Sequence, residues 1–253
     1  MSQVALLLVA CSVLLGGTLQ RISGMGMGLV LSPVLSLLLG ASVGVTVTNM
    51  TTVLSALMIG LVLRAGIDWK KFGVLAPSAL LGAIPGAFLV RSLDGNWLSI
   101  LVGSFILLAL VVTLLGDRLR ELPRLDHLAW LVPFAAMAAF LNTVAGVAAP
   151  ALVIYALLSR WDQHTFSATL QPAFLWFGLL SVVTKISTGA TPLESLPSPW
   201  ILLLIVGAIL VAILLGGRLS SRVSPQRART IGILVAGAGA VSTILRGLIG
   251  ALG

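Results

Sequence analysis

Apolar runs alternate with short polar breaks along the whole chain. Several runs approach the roughly 20 residues that a helix needs to cross a bilayer, and the rest are too short to span alone. The runs are rich in Leu, Ala and Gly and lack strand-type alternation, which favours a helical bundle over a barrel. The hydropathy pattern predicts segments near 4–20, 25–41, 43–63, 72–91, 97–116, 128–141, 147–159, 166–188, 199–216 and 231–249.

One hydrophilic stretch, "GDRLRELPRLDH" (Gly116–His127), lies close to the middle of the chain. We expect it to separate two membrane repeats. The predicted organisation is a first repeat at 1–116, a cytoplasmic linker at 117–127 and a second repeat at 128–253.

The two halves show weak similarity to each other. "GAFLVRSLDGNWLSILVG" at 86–103 aligns with 216–233 at an offset of 130, and "SGMGMGLVLSP" at 23–33 aligns with 145–155 at an offset of 122. Five segments in each half is an odd number, so the halves are predicted to cross the membrane in opposite directions. The fold class predicted is therefore an all-α polytopic membrane protein with two inverted repeats and broken or re-entrant helices.

Composition agrees with the pattern, because 58% of the 253 residues are hydrophobic and 9% are charged. A soluble domain carries about 25% charged residues. The net charge of +8 is spread over short loops, with no basic domain to bind nucleic acid, so none is expected as a partner. One cysteine, Cys11, excludes an internal disulfide.

The basic residues instead predict orientation in a plasma membrane, here the bacterial inner membrane. Counting loops on alternate sides gives twelve Lys and Arg on one side and three on the other, namely Arg91, Lys185 and Arg246. The richer side is expected to face the cytoplasm, which places both termini outside.

Two of the shorter segments are interrupted by helix-weakening residues. The first carries Gly24, Gly26 and Gly28 just after Arg21, and the second carries Asn142, Gly146 and Pro150. Paired breaks of this kind indicate the substrate site of a transporter, and half-helix N-termini with free N–H groups favour an anion. The alternatives are close packing for the glycines and snorkelling for Arg21.

The segment that follows each break supplies neutral polar groups, with Thr48 and Asn49 in the first half and Thr169 and Gln171 in the second. Threonines often bond to their own helix. An amide in hydrocarbon requires partners, so the Asn and the Gln are the better candidates for substrate contacts.

Every carboxylate falls in or beside a predicted loop, and His164 near Asp162 is the one pairing that suggests acid–base chemistry. Residues two apart do not share a helix face. We therefore expect no catalytic residues, no metal and no cofactor. Without an acid inside the membrane, export of an anion down the membrane potential fits the residue inventory.

The motifs together resemble the sulfite exporter TauE/SafE family over residues 5–250. They are "SGMGMGLVLSP", "GAIPGAFLVRSL", "NTVAGVAAPALVIYALL", "FSATLQPAF" and "GGRLSSRVSPQRART". The resemblance implies a two-half inner-membrane transporter of sulfite, organosulfonates or other sulfur-containing anions. Its implied sites are Gly24, Gly26, Gly28, Gly146 and Pro150. This chain departs from the family pattern at Met25, Met27 and Ala148–Ala149.

The function predicted from the sequence is export of small anions by alternating access, with the lipid bilayer and the anion as partners and homo-oligomerisation left open. The alternatives are import of a sulfur-containing or organic-acid anion, or a membrane-embedded enzyme or structural subunit.

Overall fold

The fold of a computed structural model is described for residues 3–23, 27–115, 124–125 and 127–252. Eleven α-helices account for most of these residues, and three short 3-10 turns complete the regular structure. The helices are α1 Gln3–Ser23, α2 Met27–Leu39, α3 Ala41–Leu63, α4 Trp69–Ser78, α5 Leu80–Ser92, α6 Gly95–Leu114, α7 Leu131–Ala145, α8 Ala149–Ser159, α9 Gln163–Ser187, α10 Pro199–Leu219 and α11 Pro225–Leu252.

Eight stretches are long and apolar enough to cross a membrane, with α4 and α5 together forming one of them. Two shorter apolar helices, α2 and α8, bring the total to the ten segments that the hydropathy pattern predicts. The prediction of an all-α polytopic membrane protein is confirmed. The inverted relation of its two halves stays a prediction.

The long helices α3 and α9 run antiparallel through the centre of the bundle. At one end Ser42 donates a hydrogen bond to the carbonyl of Ala190, and at the other end Gly66 lies against His164. We call the second of these the basic end, because it also holds Lys70 and Lys71. The opposite end, where Ser42 lies, is called the far end.

Helices α7 and α8 form a hairpin that enters the bundle from the basic end. The N–H of Leu125, ahead of α7, donates to the carbonyl of Leu158 at the end of α8 over 3.0 Å. Both ends of the hairpin are therefore together. Its tip is Gly146, whose left-handed backbone (φ 72°) reverses the chain.

Helices α1 and α2 form a second hairpin, and this one enters from the far end. Gly16 and Gly17 of α1 pack against Met27 at the start of α2, and α2 leads directly into α3 at the far end. The start of this helix, at Gly28, lies against the backbone of Gly146. Parts of the chain 118 residues apart thus meet in the interior.

Glycines allow the remaining helices to approach closely. A Cβ on Gly82 would overlap the Ala136 carbonyl of α7, and one on Gly103 would lie 2.7 Å from the Ala240 carbonyl of α11. Such contacts replace the hydrophobic driving force that is absent between helices in lipid.

The structure corrects one part of the loop count. Lys185 lies inside α9, and its side chain is 0% exposed. It is therefore not a loop residue of the sparsely charged side. The loop count treated it as one because it lies near the end of an apolar run.

Candidate functional site

A small cavity lies where the two hairpins meet. Its volume is about 20 Å³, which is room for about one water molecule. Residues from both halves of the chain line it, and they come from the end of α1, the start of α2, the centres of α3 and α9, and the α7–α8 tip. They are Gln20, Met27, Gly28, Leu29, Thr52, Asn142, Gly146, Val147, Ala148, Ala149 and Phe174.

Two helix N-termini contribute to this lining. Met27 and Gly28 begin α2, and Ala149 begins α8, which no side chain caps. The first N–H groups of a helix have no partner within it, and they carry the positive end of the helix dipole. The glycine at position 28 brings the backbones of the two hairpins into contact, because any Cβ there would overlap the Gly146 carbonyl.

The predicted amide Asn49 holds the tip of the α7–α8 hairpin. Its Nδ2 donates to the Asn142 carbonyl over 3.1 Å and to Ser181 Oγ over 2.6 Å. Asn142 is 3% exposed and lines the cavity, yet its own Nδ2 donor has no hydrogen-bond partner. A buried donor without an acceptor costs about 1–3 kcal/mol. The cavity therefore contains an unused donor.

The second predicted amide, Gln171, holds the other hairpin in the same way. Gln20 Nε2 of α1 donates to Gln171 Oε1 over 3.3 Å, and Ser55 Oγ donates to Gln20 Oε1 over 3.1 Å. The pairs Gln20–Gln171 and Asn142–Asn49 are related by the offset of 122 residues found in the sequence. Each pair joins a residue of the hairpin in one half to an amide side chain of the long helix in the other half.

Other predicted site residues lie away from this cavity. Thr48 donates to the Gly44 carbonyl within α3, and Thr169 accepts a hydrogen bond from the N–H of Asp68 near the basic end. Pro150 lines a neighbouring apolar cavity, and Arg21 packs its aliphatic stem against Gly216 of α10. Gly24 and Gly26 lie outside the described residues.

Several residues of the site were not predicted from the sequence. Gln20, Thr52 and Phe174 line the cavity, and Ser181 supports Asn49. The sequence could have indicated Gln20 as a site residue, because it is an amide within an apolar run and lies 122 residues before Asn142.

The carboxylates that the structure describes lie at helix ends or in loops and not at the cavity. The Thr165 backbone N–H donates to Asp162 and holds the pKa of that carboxyl below its usual value. Burial raises the pKa of Asp68, but the hydrogen bonds and charge of Lys71 outweigh it and leave the pKa low. Within the described parts of the chain, no three metal-ligating side chains cluster. The surroundings of the cavity thus offer hydrogen-bond donors without a negative charge.

Short helices that meet at a cavity inside a polytopic helical bundle are typical of membrane transporters. The sequence agrees with this class. The family model described as sulfite exporter TauE/SafE matches residues 8–243, nearly the full chain. The chain therefore belongs to the sulfite exporter TauE/SafE family, whose members are membrane transporters of sulfur-containing anions. No curated protein and no solved structure matches the chain.

Proposed function

We propose that this protein exports small sulfur oxyanions or sulfonates across the bacterial inner membrane by alternating access. The observation that carries the proposal is the cavity itself, where two helix N-termini, one from each half, meet beside the unpartnered Nδ2 of Asn142. The helix N-termini and the amide donor both favour a negative ligand.

The donor set suits a small oxyanion in particular. Sulfite presents several acceptor oxygens on one compact centre, and backbone N–H groups together with an amide can approach it from different directions. Gly28 and Ala149 themselves have no side chain or a small one, which leaves the backbone accessible at these two positions. None of the residues lining the cavity is acidic.

The structure corresponds to a closed stage of the transport cycle in this proposal. A cavity of about 20 Å³ is too small for an ion with four heavy atoms. The hairpins must separate to admit the anion, and they are the natural moving parts because one enters from each end. We infer inverted repeats from the equivalent amide pairs Gln20–Gln171 and Asn142–Asn49. Alternate separation of the hairpins would open the cavity to one end and then to the other.

Orientation follows from charge in this proposal. The basic end, with Lys70, Lys71 and Arg160, faces the cytoplasm, and both termini lie outside. An anion that leaves a cell with a negative interior gains about 2.3 kcal/mol per charge per 100 mV.

The test uses the purified full chain in proteoliposomes loaded with radiolabelled sulfite, thiosulfate or methanesulfonate. A potassium diffusion potential of either sign is imposed, and initial efflux rates are measured. We expect efflux of at least one of these anions, faster when the potential drives anions outward.

Asn142→Leu tests the cavity itself. The substitution removes the unpartnered donor, and we expect at least a tenfold lower rate. The matched control is Met137→Leu on the exposed face of the same helix, which should transport at the parental rate. If protein liposomes released every anion no faster than empty liposomes, the proposed function would be excluded. A parental rate for Asn142→Leu would exclude the cavity as the pathway.

A further inference from the structure

One charged side chain is fully buried in the described part of the chain, and it is Lys185 of α9. Its side chain is 0% exposed, and its Nζ has no hydrogen bond or ion pair. All other charged residues that the structure describes are at least partly exposed. An ammonium group in a membrane interior costs several kcal/mol unless it is paired, so this position requires an explanation.

Lys185 lies on the inner face of α9, in line with residues that contact the candidate site. Gln171, Phe174, Gly178, Ser181 and Lys185 recur at spacings of three or four residues, which places them on one side of the helix. Three of them contact the candidate site directly. Phe174 lines the cavity, Gly178 lies against the Asn49 carbonyl, and Ser181 accepts a hydrogen bond from Asn49.

The lysine lies beyond the cavity toward the far end. It follows Phe174 by three turns, about 16 Å along the helix axis. Its backbone carbonyl accepts from the N–H of Thr191, whose Oγ1 is 2.6 Å from Ser42 Oγ and 3.0 Å from Thr46 Oγ1. Side chains in a helix lean toward its N-terminus, so we expect the lysine to extend from this hydroxyl cluster toward Ser181 and the cavity.

No carboxylate in the described part of the chain balances this charge. None of the eight candidate spans contains Asp or Glu, and the acids that the structure describes lie at helix ends or in loops. An arrangement with a buried cation and no counter-charge is stabilised when a mobile anion enters.

We propose that Lys185 is an anion-binding residue and forms a second site, between the central cavity and the far end, for the same small oxyanions. The anion moves from backbone N–H groups at the cavity to the ammonium group of Lys185 before it is released. The identity of the anion rests on the proposed function, whereas the existence of the site rests on the buried, unpartnered Nζ.

The experiment measures anion binding separately from transport. Wild type, Lys185→Met and Lys185→Arg are purified as full chains, with Lys70→Met as a control at an exposed lysine. Melting temperatures are recorded against sulfite at constant ionic strength, with gluconate as the replacement anion, and efflux is measured in proteoliposomes.

We expect sulfite to stabilise wild type and Lys70→Met equally. Lys185→Met should need at least tenfold more sulfite for the same shift, because the substitution removes a charge-assisted hydrogen bond to the anion. Lys185→Arg keeps the charge and should keep most of the effect. Without sulfite, Lys185→Met should melt at or above the wild-type temperature, because the substitution removes an unpaired buried charge.

The outcomes distinguish the two proposals. Anion-dependent stabilisation without efflux from wild type would overturn the proposed export function and leave the Lys185 site in place. Equal sulfite dependence in wild type and Lys185→Met, or no stabilisation of wild type by sulfite, thiosulfate or sulfate, would overturn the Lys185 site. So would a large drop in the melting temperature of sulfite-free Lys185→Met, which would show that the lysine stabilises the fold.

Discussion

The contact between Gly28 and Gly146 is a point at which a single methyl group should affect both stability and transport. In Gly28→Ala the new Cβ would lie closer than 3.0 Å to the Gly146 carbonyl, a separation that real Cβ atoms essentially never show. The obstructing atoms are backbone, so no side-chain rotation relieves the overlap. One of the two hairpins has to move.

Overpacking of this kind costs about 1–3 kcal/mol. If the cost falls on the closed arrangement alone, the equilibrium between closed and open arrangements shifts by about 5- to 150-fold. We expect a melting temperature lower by about 2–4 °C per kcal/mol and a sulfite efflux rate at least fivefold lower. Differential scanning fluorimetry and proteoliposome efflux measure the two quantities on the same preparation.

Gly207→Ala is the matched control. It also replaces a helical glycine with alanine, but no atom lies within 4 Å of the new Cβ. Its melting temperature should be unchanged or higher, because alanine favours a helix over glycine by about 1 kcal/mol. A Gly28→Ala protein with the melting temperature and rate of Gly207→Ala would refute the closeness of the two hairpins and their part in transport.

Three further predictions follow from the same architecture. Gly146→Ala places a side chain on a left-handed backbone at φ 72°, and we expect the free energy of unfolding in urea or on heating to fall by about 1–2 kcal/mol. An unchanged free energy of unfolding would indicate a right-handed backbone at this position. Gln20→Leu and Gln171→Leu should be non-additive, with a coupling near 0.6 kcal/mol in a double-mutant cycle; additive effects would contradict the hydrogen bond between them. A phosphatase fused to the C-terminus should be active outside the cytoplasm, and activity confined to the cytoplasm would reverse the proposed orientation.

Much of the fold could be predicted because hydropathy is a local property. The ten apolar segments correspond to the observed helices within a few residues, including the short α2 and α8. The break between α4 and α5 at Ala79 was missed, since the apolar run continues through it. Pro77 marks the place, because proline removes a backbone donor and distorts the preceding turn.

The contacts of the site depend on partners that are distant along the chain. Asn49 and Gln171 were predicted as amides in need of partners, and the structure places their partners 93 and 151 residues away. The offset of 122 residues relates Gln20 to Asn142 and Asn49 to Gln171, but it does not show which of these residues contact each other. Burial of Lys185 could not be predicted by loop counting, because that rule assigns every lysine near a segment end to the surface.

The buried lysine also bears on the energy source for transport. If Lys185 stays charged and in place, a monoanion that passes it carries a full charge across the membrane. The ratio of its concentrations on the two sides of the membrane then follows the potential and changes about fiftyfold per 100 mV. If efflux were instead independent of an imposed potential, the charge would have to be balanced by a co-transported cation, for example a proton, or by an anion moving the other way. Because the spans contain no carboxylate, Lys185 is then the buried group best placed to carry such a proton. Measuring efflux against potential therefore tests whether this lysine only attracts the anion or also transfers a proton.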